Sequence, residues 1–226
     1  FHDTFLSYGG PPIPLVRQQM LGEPEPLARF PVAEVESSTM KRSTHAWDCS
    51  EDQYIVTRLV EDSLWAFLPG RTVELKQVRA ASGARFEAQG LMFWSKGDKA
   101  MLETDGQRSD CSLNRQETPF EDAKLRGADF RAIGYEPGWH LELFSDEASV
   151  LVSDYGQSEY AFMAGVPMDL EDEAGSAFVS EVNGTSIRIE LRPGPCADSM
   201  ADIRYETSVV IDLGENVLRG CGKALH

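Results

Sequence analysis

The sequence predicts an all-β protein: a small antiparallel β-barrel of about eight strands, followed by a second antiparallel β-barrel or sandwich domain. Three observations carry that prediction. Between Thr44 and Ser112, short runs alternating apolar and polar residues recur, punctuated by Gly, Asp and Asn at the spacing of an antiparallel barrel. Helical periodicity is absent from that stretch. The second half repeats the strand pattern, and Asn183-Gly184 between two such runs is the strongest hairpin signal in the chain.

Taken in order, residues 1–42 stand apart. Gly9-Gly10-Pro11-Pro12-Ile13-Pro14 and Gly22-Glu23-Pro24-Glu25-Pro26 interrupt any regular element. Phe5, Leu6, Tyr8, Leu15, Val16 and Phe30 make the segment too apolar for a free linker, so it reads as extended chain packed along a domain surface. The barrel is assigned to 43–113, with strands at His45–Cys49, Tyr54–Leu59, Ser63–Leu68, Thr72–Val78, Arg85–Ala88, Leu91–Trp94 and Ala100–Thr104, and a last one running into Cys111. Closure of such a barrel removes exposed edges and leaves loops at two ends. Residues 114–127, with Pro119 and mixed charges, read as a linker, and 128–226 as the second domain. There Trp139, Leu141 and Leu143 alternate with His140 and Glu142 as in a half-buried strand. Further strands are expected at Ala148–Val152, Ser158–Met163, Ala177–Val182, Thr185–Leu191, Arg204–Asp212 and Asn216–Arg219.

Composition narrows the function. With 42% hydrophobic residues in 226, the chain can bury a sizeable core. No apolar run reaches the roughly 18 residues of a transmembrane helix, and an export signal or lipid-anchor Cys is expected to lie outside the sequence. A net charge of −16 argues against nucleic acid and suits a basic partner. The charge is uneven: residues 1–120 hold 13 Lys/Arg against 17 Asp/Glu, and residues 121–226 hold 8 against 20. There is no C-x-x-C and the four His are scattered, so no metal site is expected, and no cofactor motif is present. G-x-S-x-G, H-E-x-x-H and P-loop patterns are likewise missing, so the chain is not read as an enzyme.

One stretch carries chemistry. Ser82-Gly83-Ala84-Arg85-Phe86 follows the run Val73–Val78, and Phe93-Trp94-Ser95-Lys96-Gly97-Asp98 precedes a new strand. Two loops on neighbouring strands can present the Ser82 hydroxyl and the Lys96 ammonium at one end of the sheet, a donor-rich tip suited to carboxylates. This stretch resembles the membrane-bound or periplasmic inhibitors of c-type lysozyme, the MliC family, which carry S-G-x-[AKR]-[YF] and W-x-K-G-[DN] loops at this separation between two cysteines. The resemblance covers about residues 43–113 and departs in Phe86, where Tyr is commoner.

The resemblance implies a barrel bridged by Cys49 and Cys111, and a lysozyme-binding tip of Ser82 and Lys96 with Gly83, Arg85, Gly97 and Asp98 in support. Sequence alone allows three pairings of four cysteines; domain division and the resemblance together favour Cys49 with Cys111 and Cys196 with Cys221. Bridges imply an oxidising compartment, here the periplasm or an outer-membrane lipoprotein's setting. The second domain resembles an exported lipoprotein domain of no settled activity that occurs with MliC and META/HslJ-type domains. Its marks are Gly134-Tyr135-Glu136-Pro137-Gly138-Trp139 and the run from Cys196 through Met200 to Tyr205. The expected function is therefore inhibition of c-type lysozyme, by inserting the tip into its acidic cleft. The alternative is a cell-envelope structural or ligand-binding lipoprotein that uses the barrel as scaffold.

Overall fold

A computed structural model describes residues 42–170, 174–198 and 203–226. The reading of the extended N-terminal segment thus lies, Arg42 apart, outside the described residues, as do residues 199–202 of the second cysteine motif. Eight strands form the first sheet: β1 Arg42–Cys49, β2 Tyr54–Val60, β3 Ser63–Leu68, β4 Arg71–Val78, β5 Ala84–Ala88, β6 Leu91–Lys96, β7 Lys99–Thr104 and β8 Gln107–Asn114. Each pairs antiparallel with the next, and β8 returns to β1, closing a barrel.

Alternation decides which side chains fill it. Along β6, Leu91 and Phe93 are buried while Met92 and Trp94 stand on the outer face; along β7, Ala100 and Leu102 are buried. Trp47, Ile55, Leu64, Leu75, Phe86, Phe93 and Leu102 make the core. Trp47 and Phe93 meet edge-on at 5.4 Å between ring centroids, worth about 0.5–1.5 kcal/mol beyond their burial. The Trp47 indole N–H donates to Thr57 Oγ1 at 2.9 Å, so its polar atom is satisfied inside. Cys49 and Cys111 face each other across the β1–β8 seam and are disulfide-bonded.

Residues 114–127, read as a linker, contain a helix, α1 (Thr118–Leu125), with Pro119 in its first turn, where a missing N–H costs nothing. On the barrel side, the Thr44 hydroxyl donates to Asp122 at 2.6 Å, the Ala46 amide to Thr118 Oγ1 at 3.0 Å and the Tyr54 hydroxyl to Glu121 at 3.0 Å. On the other side, Phe120 and Ala123 pack with Ala128, Phe144, Tyr205 and Leu225. The helix therefore ties both sheets, from Arg42 to His226, into one compact unit.

The second sheet is antiparallel, with nine strands: β9 Phe130–Tyr135, β10 Gly138–Leu143, β11 Ser149–Ser153, β12 Ser158–Phe162, β13 Met168–Asp169, β14 Ser176–Val182, β15 Thr185–Asp198, β16 Ile203–Leu213 and β17 Asn216–Ala224. Their order is β12-β11-β10-β9-β17-β16-β15-β14-β13, a half-barrel rather than a closed one. Asn183 and Gly184 both take positive φ, 51° and 77°, as a two-residue type I′ hairpin requires. Trp139, Leu141, Leu151, Ile187, Ile189, Val209 and Ile211 form its core, and the second disulfide joins Cys196 to Cys221.

One strand departs from simple alternation. Glu142, at a position read as polar and outward, is only 4% exposed. It is neutralised by two guanidiniums, Arg131 beside it and Arg126 at 2.6 Å. Arg126 also bonds Asp122, so an ionic chain runs from barrel-bound Asp122 into the second sheet. A buried carboxylate is tolerated only when paired in this way.

Candidate functional site

In an eight-stranded meander, alternate connections share one pole. The β2–β3 turn, the β4–β5 loop and the β6–β7 turn lie together at one end of the barrel. The last two carry the sequence-predicted tip.

The β6–β7 turn is the two-residue loop Gly97-Asp98, with Lys96 paired to Lys99 across it. Gly97 has φ +59° and Asp98 is not among the residues of positive φ, the pattern of a II′ turn, in which the first central position favours glycine. Lys96 is exposed at the lip of this hairpin and makes no hydrogen bond or ion pair among the described residues. Asp98 accepts both of its contacts from Arg115, at 2.7 and 2.8 Å, and its carbonyl accepts from the Leu113 amide. That clamp fixes the turn to the end of β8.

The β4–β5 loop is seated against the same hairpin. Ala84 pairs with Ser95, which brings Gly83 level with Lys96. A Cβ on Gly83 would lie 2.3 Å from the Ser95 carbonyl oxygen and 3.2 Å from Lys96 Cβ, and Gly83 has φ +69°. Only glycine admits both the close approach and the backbone conformation. Trp94, one strand position before Ser95, donates its indole N–H to the Ser82 carbonyl at 2.8 Å. Ser82 is exposed. The structure thus brings Ser82, Gly83, Lys96 and Gly97 to one patch of one pole.

Arg85 lies apart from them. It points to the outer barrel wall opposite Trp94 and pairs with Glu87 at 2.5 Å. Sequence reasoning missed three residues of this pole. Trp94 anchors the Ser82 loop and Arg115 anchors Asp98, contacts that no local spacing announces. Lys99 is a second ammonium at the lip, bonded to Ser112 Oγ at 2.8 Å. It was legible in principle, because a two-residue hairpin places i and i+3 opposite each other. Like charges facing across a ladder are locally unfavourable, so the paired lysines leave the lip strongly cationic. Glu61 and Asp62, in the β2–β3 turn, sit four strands away around the same rim.

A closed eight-stranded meander, bridged across its seam and carrying a Ser–Gly loop locked onto a Trp-x-Lys-Gly hairpin, defines a class of small disulfide-stapled barrels. Residues 47–110, which lie within this barrel, match the family described as membrane-bound lysozyme-inhibitor of c-type lysozyme, and the barrel is similar to the domains of that family. Over 71 residues the chain is 41% identical to the membrane-bound lysozyme inhibitor of C-type lysozyme of Yersinia enterocolitica serotype O:8, covering 30% of this chain and 58% of that relative's length. It is also similar to the crystal structure of Pseudomonas aeruginosa MliC in complex with hen egg white lysozyme. That match has 21% identity and a TM-score of 0.28, and it covers 41% of this chain and 98% of that one.

Proposed function

We propose that this protein inhibits c-type lysozyme, with the Ser82–Lys96 pole as the inserting surface, and that it acts in the cell envelope as an exported periplasmic or outer-membrane lipoprotein. The observation that carries the reading is the close seat of Gly83 on Ser95 and Lys96, which holds the two loops as one rigid donor-rich projection. The family match over residues 47–110 and the inhibitor named as its relative support the choice of target.

The mechanism follows from the chemistry of the target. A glycosidase of this kind works with two carboxylates flanking the scissile bond. An ammonium on a short, stiff hairpin can enter between them, displacing water and pairing with charge that the enzyme has already desolvated. The Ser82 hydroxyl adds a hydrogen bond beside it. Preorganisation lowers the ordering cost, because neither loop has to be immobilised on binding. The chain's net charge of −16 favours encounter with a basic enzyme, while the local lysines present the opposite sign only at the contact. On this reading the protein blocks catalysis and is not itself a catalyst.

Titrating the purified protein against a basic c-type lysozyme on a cell-wall substrate tests the proposal. Stoichiometric loss of hydrolysis is expected. Full lysozyme activity in the presence of excess protein would reject it.

A further inference from the structure

The second sheet has a concave site of its own. A cavity of about 540 Å³ opens on the face opposite its core, lined among others by Tyr135, Arg192, Tyr205, Ser208, Val210 and Arg219. The register explains why four of these residues, Arg192, Ser208, Val210 and Arg219, converge. Val209, Ile211 and Leu218 turn into the core, so their neighbours Ser208, Val210 and Arg219 face outward. Arg192 stands beside Ser208 on β15, and Val210 pairs with Arg219 on β17.

The cavity wall comes from a bent strand. Cys196 and Cys221 belong to β15 and β17, which flank β16, and in a flat sheet two strand spacings alone would separate them by at least roughly 9.5 Å. Their Cα atoms are instead 5.6 Å apart. The register break between Pro193 and Cys196 lets β15 curl over β16, and the disulfide keeps it there. The bridge therefore shapes a hollow as well as stapling a sheet.

We propose that this hollow binds a small molecule bearing a carboxylate or phosphate on a flat or apolar body. Residues 121–226 hold 20 acidic against 8 basic residues, yet among the described residues the lining has two guanidiniums and one carboxylate, Glu136. Arg192 pairs with Glu190 at 2.7 Å, which orients its guanidinium, and Glu190 also pairs with Arg188 at 2.9 Å. Arg219 makes no ion pair among the described residues despite the acidic surplus around it. Planar guanidinium forks match the paired oxygens of carboxylate and phosphate. Ile133, Val210 and the tyrosine rings supply the apolar floor, and the volume lies within the roughly 300–1,000 Å³ of small-molecule sites. The site lies on the second sheet and is independent of the inhibitor reading.

Amide chemical-shift titration of the whole chain with phenyl phosphate, inorganic phosphate and phenol tests the assignment. Phenyl phosphate is expected to bind saturably below about 10 mM, with shifts centred on Arg192, Ser208 and Arg219, inorganic phosphate more weakly, and phenol not at all. Arg219→Ala, at an exposed position whose loss leaves the core intact, should weaken phenyl phosphate binding about tenfold, the scale of one charge-assisted contact. Glu136→Gln should tighten it by removing a repulsive charge. No saturable binding of phenyl phosphate, phenol or inorganic phosphate binding as well as phenyl phosphate, or wild-type affinity in Arg219→Ala would overturn the proposal.

Discussion

The indole N–H of Trp94 donates to the carbonyl oxygen of Ser82 at 2.8 Å, joining the outer wall of β6 to the loop that precedes β5. Across the same contact, Gly83 rests on the Ser95 carbonyl, so the Ser82 loop is held by one hydrogen bond and one steric fit. The position of Ser82 relative to Lys96 is thereby a property of the barrel rather than of either loop alone.

Trp94→Phe keeps most of the ring and removes the donor. Leaving one carbonyl at the surface without its partner is expected to cost about 1 kcal/mol in the rigidity of the loop, hence roughly fivefold in lysozyme inhibition. Thermal unfolding should move little. Inhibition titration alongside a melting curve separates the two effects, and equal inhibition by the variant would show that the indole does not position the loop.

Gly83→Ala and Gly97→Ala make an informative pair. Both glycines have positive φ, but a Cβ on Gly97 meets nothing within 4 Å whereas one on Gly83 overlaps the Ser95 carbonyl. Gly97→Ala should cost about 1 kcal/mol of stability from backbone strain alone. Gly83→Ala should cost more and should also part the two loops, lowering inhibition well beyond the loss of stability. Denaturant unfolding of the two variants, compared with their inhibition curves, checks the ordering.

The Cys49–Cys111 bridge closes a sequence separation of 62 residues. On the chain-entropy account, its removal by Cys49→Ser with Cys111→Ser should lower unfolding free energy by about 4 kcal/mol. Urea denaturation measures this directly. A loss under about 1 kcal/mol would mean that the β1–β8 ladder closes the barrel without help from the bridge.

Acid should act in two stages. Burial disfavours the imidazolium forms of His45 and His140 and lowers both from 6.5; the Arg131 charge adds to the effect at His140. Their neutral forms therefore contribute stability that is fully present above pH 6.5 and is lost as pH falls from there through the lower folded values. Burial alone would raise Asp122, but the Thr44 hydroxyl and the Arg126 guanidinium outweigh it and hold the carboxylate below 3.8. That contribution persists above pH 3.8 and disappears as pH drops through the lower folded value, where the α1–barrel contact should loosen. Urea midpoints measured from pH 8 to pH 2 are expected to fall in these two windows, with Asp122→Asn flattening the second.

Much of this fold was legible because the barrel strands are short, alternate cleanly and end at Gly or Asp. The sequence placed Ser63–Leu68 as found, and most other first-sheet boundaries fall within one or two residues; β1, which begins three residues earlier at Arg42, and β8, which runs on to Asn114, are the exceptions. The paired loops were legible for the same reason: a strand followed by Ser-Gly, and another followed by Lys-Gly-Asp, must turn at one pole of a meander. What escaped was set by distant partners. Helix α1 was hidden in a segment whose Pro and mixed charges look like linker, and it is organised by barrel hydrogen bonds from Thr44, Ala46 and Tyr54. Glu142 looks like a solvent-facing strand residue until Arg126 and Arg131 arrive from other elements. The bulge at Pro193–Cys196, which builds the second cavity, is fixed by a bridge to a strand 25 residues away.

The most direct test of the account is the affinity of lysozyme for the wild-type chain and for Ser82→Ala with Lys96→Ala, measured by calorimetry. Both residues are exposed and outside the core, so the variant is expected to fold with an unchanged melting curve. Truncating a desolvated charge contact and its neighbouring hydrogen bond should cost several kcal/mol, a loss of at least about a hundredfold in affinity. Binding that persists at wild-type strength in the folded double variant would contradict the account.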